Sequence, residues 1–107
     1  MPTMAWIVLV LSGVFEAVWA TALGKSHGFT RIAPSLIFAA ALVASMSGLA
    51  YAMRTLPVGT SYAVWVGIGA ALTVVYAMMT GTEQASLVKI VLLLLIVAGV
   101  VGLKVTG

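Results

Sequence analysis

Four apolar runs of about twenty residues each, separated by three short polar breaks, constrain this chain more than any other feature in it. A run of about 20 apolar residues carries a helix across the hydrocarbon core of a bilayer. Four such helices leave almost nothing for a water-facing domain. Only 7% of the 107 residues are charged, against roughly 25% in soluble domains. The expected fold is an all-α integral membrane protein with four transmembrane helices per subunit. It forms one domain over residues 1–107, multi-pass in an inner or plasma membrane. The breaks Gly24–Arg31, Arg54–Pro57 and Thr80–Gln84 place the helices at about 4–23, 32–53, 58–79 and 86–105. Pro34 then falls in a first helical turn, where its missing N–H is harmless. Connections this short make consecutive helices antiparallel neighbours.

Several function classes fall away at once. With no cysteine and one histidine, disulfides and thiolate sites are excluded and a histidine-based metal site is not expected. No cofactor, metal or catalytic residue is expected, and the chain reads as a non-enzyme. The net charge of +3 comes from residues flanking the apolar runs, which suits anionic headgroups of the lipid bilayer. There is no basic run, so nucleic acid is not an expected partner. The first apolar run is too long for the core of a cleavable signal and contains a glutamate.

That glutamate, Glu16, is the candidate functional residue. A charged side chain near a bilayer centre costs about 2.5–3.5 kcal/mol on insertion scales, so it is rare there without a task. Ser12, Gly13, Glu16, Trp19, Ala20 and Leu23 share one helical face by their three- and four-residue spacing. Gly13 and Ala20 leave room beside the carboxylate, and Trp19 offers it a flat wall. On the third helix Tyr62 and Trp65 also share a face, and each carries a polar hydrogen that needs a partner when buried. The carboxylate is the partner this reading assigns them. Ser45 lies mid-helix like Glu16. Gly67 and Gly69 suit either close packing or a hinge in the third helix, and Gly99 and Gly102 suit close helix contact on the fourth. The other acid, Glu83, falls in a loop, and Lys104 is placed to reach the headgroups. A carboxyl group in so poorly solvated a place holds a proton or a cation in alternation. One such site, opened to either side in turn, would couple a proton gradient to cation movement.

The flanking cations add a point about assembly. Lys25, Arg31 and Lys89 lie on one side and Arg54 and Lys104 on the other with the N-terminal amine. An excess of lysine and arginine on one side is what fixes orientation, and here the two sides nearly balance. One reading is a single, weakly specified orientation. The other is dual insertion, with oppositely oriented copies pairing as an antiparallel homodimer and covering the carboxylate.

Over essentially its whole length the chain resembles the small multidrug resistance family of dimeric proton-coupled exporters. The resemblance rests on Gly13-x-x-Glu16-x-x-Trp19 and on Pro57-x-Gly59-x-x-Tyr62-Ala63-x-Trp65-x-Gly67-x-Gly69. Phe15-Glu16-Ala17-Val18-Trp19, Lys25-Ser26-x-Gly28-Phe29-Thr30-Arg31, Leu56-Pro57-Val58-Gly59-Thr60 and Gly102-Leu103-Lys104 are similar to its guanidinium-exporter branch. The resemblance implies that Glu16 of each subunit takes substrate and protons alternately. It implies that Trp19, Ser45 and Trp65 orient the glutamates, that Tyr62 contacts or gates them, and that Gly67-Ile68-Gly69 forms a bend. The implied activity is proton-coupled antiport of guanidinium and small guanidinyl cations by alternating access. Two alternatives stand beside it. One is export of quaternary ammonium and other lipophilic cations, and the other is an accessory membrane protein whose Glu16 only holds helices together. Leu92 departs from the family, which often has a small residue seven positions before the glycine matching Gly99.

Overall fold

A computed structural model describes residues 3–106. Its elements are α1 (Thr3–Lys25), α2 (Ile32–Ala52), α3 (Val58–Met79) and α4 (Leu87–Thr106). All four are long and apolar enough to cross a membrane. At about 1.5 Å per residue they match a hydrocarbon core of about 30 Å. A backbone in that core must satisfy its hydrogen bonds within its own segment, which is why each apolar run is an unbroken helix. The protein is an all-α, multi-pass membrane protein.

The helix ends are set by local chemistry. α1 continues two residues beyond the expected Leu23 and stops where Ser26 takes over the backbone. The buried Ser26 hydroxyl donates to the Leu23 carbonyl at 2.7 Å and accepts the Phe29 N–H at 3.1 Å. It thereby holds a turn in which His27, Gly28 and Phe29 all have positive φ. α3 ends at Met79, and Gly81 beyond the Thr80 cap, with a φ of 80°, supplies the left-handed residue that commonly follows a helix. α4 starts at Leu87 and not Ser86, because Ser86 is its cap: the Ser86 hydroxyl accepts the Lys89 N–H at 3.2 Å.

α1 packs against both α2 and α3, and α4 backbone approaches only α3. The principal extents are 42 × 33 × 17 Å. A breadth of 33 Å is close to that of helices lying abreast at about 8–10 Å apart. The chain is therefore a thin layer in the order α2, α1, α3, α4. Its buried core, including Leu9, Leu49, Ala52, Val64 and Trp65, gathers where α1 begins, α2 ends and α3 begins. No residue of α4 is buried, and along it Gly99 and Gly102 have nothing within 4 Å of where a Cβ would stand. Leu92 is 53% exposed.

Small residues set the helix spacing. A Cβ on Gly48 would come within 2.7 Å of the Ser12 Cβ, and one on Gly67 within 2.7 Å of Val100 Cγ2. Gly48→Val should therefore push α1 from α2 and cost about 1–3 kcal/mol by overpacking. Gly24→Ala, in open space at the end of α1, should be neutral or slightly stabilising. Unfolding of the detergent-solubilised protein in increasing denaturing detergent separates the two. Equal midpoints for both variants would contradict the packing described here.

Candidate functional site

Glu16 sits in the middle of α1, half-buried, against α3. The close approach is made by Gly69: a Cβ there would run into the Glu16 carboxylate, standing 2.7 Å from its Cγ. Gly13, one turn earlier, is also tight, though less so. A Cβ on it would lie 2.8 Å from Ile68 Cγ2. The carboxylate opens into a pocket of about 260 Å³ that it shares with Ala20, Val66, Gly69, Ala70, Thr73 and Val74. Small residues on both helices make that space, and the rest of the wall is nearly all apolar. Thr73 is the other polar side chain there, and its hydroxyl is spent on the Gly69 carbonyl at 2.6 Å. Glu16 Oε1 is buried and has no hydrogen-bond partner. A carboxylate oxygen shut away from water without a donor is costly, a cost that a bound proton or an arriving donor would relieve.

Beside Glu16 lies a polar link among three helices. The Ser45 hydroxyl of α2 donates to the Ser12 carbonyl of α1 at 2.7 Å and accepts the Trp65 Nε1–H of α3 at 2.9 Å. Ser45 is fully buried, so each of these bonds forms in a dry interior. Trp65 thus gives its N–H to Ser45 and not to the carboxylate, the partner expected from the sequence. The serine sits within reach of the indole and carries its own donor to α1. Ser12, on the Glu16 face, turns its own hydroxyl to the Leu9 carbonyl at 2.7 Å.

The aromatic residues form a chain. Trp19 lies 6.0 Å from Phe38 and 6.5 Å from Trp65, and Trp65 lies 5.9 Å from Tyr62 (ring centroids). Trp19 Nε1 is buried without an acceptor. Tyr62 is half exposed at the open end of this row. The structure therefore brings together Glu16 with Gly13 and Gly69, and Ser45 with Trp65, Trp19 and Tyr62. Gly67 turns away toward Val100 of α4, within a helix continuous from Val58 to Met79. Gly99 and Gly102 face open space and lie apart from the site. Sequence reasoning missed Val66, Ala70, Thr73 and Val74 as pocket walls and Phe38 as the neighbour of Trp19. The spacing Gly69-x-x-x-Thr73 carried a signal, since it puts both residues on one α3 face. Phe38 gave none. Among the described residues, no three His, Cys, Asp or Glu side chains gather as a metal site would need.

If Ser45 links Trp65 to the bundle, the two side chains must be energetically coupled. A double-mutant cycle with Ser45→Ala and Trp65→Phe should give a coupling of about 0.6–1.7 kcal/mol, the range of interhelical hydrogen bonds in membranes. The readout is unfolding in denaturing detergent. Strict additivity would contradict the bond.

Comparison with known proteins adds a family. The model described as "Small Multidrug Resistance protein" matches residues 4–96. A protein of Yersinia pestis named "Guanidinium exporter" is 52% identical over 101 residues, which cover 94% of this chain and 97% of that protein. A protein of the same name from Salmonella typhimurium is 52% identical, with 94% and 96% covered. Another, from Proteus vulgaris, is 46% identical, with 94% and 97% covered.

Proposed function

The chain belongs to the Small Multidrug Resistance protein family, and from that premise we propose that it is a proton-coupled antiporter exporting guanidinium and small guanidinyl cations. The observation that carries the reading is Glu16 Oε1, buried without a donor beside a pocket of about 260 Å³. A guanidinium ion is planar, permanently charged at physiological pH and built to pair bidentately with a carboxylate. It supplies the donors that Glu16 lacks, and it cannot shed its charge to cross lipid. The relatives named "Guanidinium exporter" support the same substrate class.

The mechanism follows from exclusion. At a site shared between two subunits, each Glu16 carboxylate holds either a proton or the cation. Cation arriving from one side releases the proton, and a proton arriving from the other side releases the cation. Trp65, fixed by Ser45, and Trp19 lie outside that pocket and are assigned the role of bracing the helices that hold the carboxylate, while Tyr62 stands where the row of rings opens outward. Gly13 and Gly69 keep α1 and α3 close enough to seat Glu16. A second, oppositely inserted copy completes the cover. The near-balance of Lys25, Arg31 and Lys89 against Arg54 and Lys104 supports that pairing, as does α4 with its bare Gly99 and Gly102. With two equivalent ends, alternation between them needs no internal repeat.

In proteoliposomes, wild-type protein should release protons in exchange for guanidinium and only weakly for tetraethylammonium. Glu16→Gln should abolish the exchange. Unchanged guanidinium transport by that variant would sink the proposal, and equal response to tetraethylammonium would move it to broad cation efflux. Gly69→Ala should leave the helices intact but lower guanidinium affinity about tenfold or more. That is the equivalent of one lost charged hydrogen bond of about 1.5–3 kcal/mol.

A further inference from the structure

A second and larger concavity lies on the other side of α1. Its volume is about 540 Å³, and its walls include Val18 and Lys25 of α1, Pro34 and Ile37 of α2, and Leu72 and Tyr76 of α3. Val18 follows Glu16 by two residues, about 200° around the helix, so this groove and the carboxylate open on opposite faces. The groove exists because the core gathers at the far end of the layer, leaving the end of α1, the start of α2 and the end of α3 splayed. Those three ends lie on one side of the membrane. Lys25, the last residue of α1, therefore stands at headgroup depth with apolar walls reaching inward beneath it.

The charge at its mouth has no acid to meet it. The chain has two acidic side chains. Glu16 is committed to the site on the opposite face, and Glu83 pairs with Lys89 at 3.2 Å. The Lys25 ammonium rests over the Tyr76 ring, 5.3 Å from its centroid. That contact and the carbonyl end of α1 hold the ammonium at the mouth, but no carboxylate pairs with it. Arg31, also without an acid, comes three residues before Pro34. A lipophilic cation is repelled here, and a small polar solute gains nothing from the walls. The groove calls for an amphiphile with an apolar chain and an anionic head.

We propose that this groove binds an anionic phospholipid of the surrounding membrane, with an acyl chain along Val18, Ile37 and Leu72 and the phosphate on Lys25. The lipid fills the gap between α2 and α3 on the face away from Glu16. It supplies the counter-charge that the sequence withholds from this end of α1.

Native mass spectrometry of the protein, released from micelles holding equal amounts of phosphatidylglycerol and phosphatidylcholine, tests this. The wild type should retain phosphatidylglycerol selectively. Lys25→Ala should lower that retention about fivefold, the factor for one basic residue near an anionic surface, and Lys25→Arg should restore it. Ile37→Trp, which fills the groove without touching the charge, should also displace the lipid. Lys104→Ala, whose ammonium lies over Trp6 at the other end, should retain lipid as the wild type does. Circular dichroism confirms that each variant keeps its helices. Equal retention of both lipids by the wild type would overturn the proposal. So would undiminished phosphatidylglycerol on the folded Lys25→Ala or Ile37→Trp variants.

Discussion

The Ser45 hydroxyl is where three helices agree on their positions. It gives its proton to α1 and takes one from the Trp65 indole of α3. No difference in hydrophobicity drives one apolar helix against another in lipid, so close packing and such bonds have to locate them. Gly48 lets α1 and α2 approach closely enough for the first bond to form. Once α1 and α3 are fixed, Gly13 and Gly69 bring the Glu16 carboxylate against α3 in a space that small residues leave open. The proposed exchange site is thus a product of the packing. Loosening the serine would not remove the acid, but it would remove what defines where the acid stands.

A layer of helices cannot by itself shelter a charge in a bilayer. α4 buries no residue and its backbone approaches only α3, and the Glu16 pocket opens on one face of a molecule whose Cα atoms span 17 Å in its thinnest direction. The proposed antiparallel copy answers this with the same sequence, since nearly balanced flanking cations permit both insertions. The opposite face has a different need. Its groove is apolar and carries a cation at its mouth, which is why we assign it to lipid and not to a second subunit. Polar demand on one side and amphiphilic demand on the other give the layer two chemically distinct faces.

Much of this architecture is legible in the amino-acid sequence. Length and apolarity of the four runs specify the helices, because a backbone in hydrocarbon has so few alternatives. Glu16 stands out because the other acid falls in a loop. The partner of Trp65 is not legible. Indole, serine and carboxylate all lie at compatible heights, and only the rotation of α2 decides that Ser45 intercepts the N–H. The seat that Gly69 makes for Glu16 is hidden for a similar reason. A glycine between two turns of α3 suits a hinge or a close contact equally, and the choice depends on a neighbour distant in sequence. The groove under Lys25 is invisible too, since it arises from the splay of helix ends and not from any run of residues. The helix boundaries differ by a residue or two from those expected where Ser26 and Ser86 redirect the backbone.

The central claim is that proton and guanidinium compete for one carboxylate. Guanidinium affinity measured calorimetrically over a range of pH tests it most directly. If binding displaces one proton from Glu16, the apparent Kd should rise toward tenfold for each unit of pH on the acid side and level off on the alkaline side. On a Glu16→Gln background binding itself should be lost. A guanidinium affinity that stays constant across the range, or survives in the variant, would contradict the account.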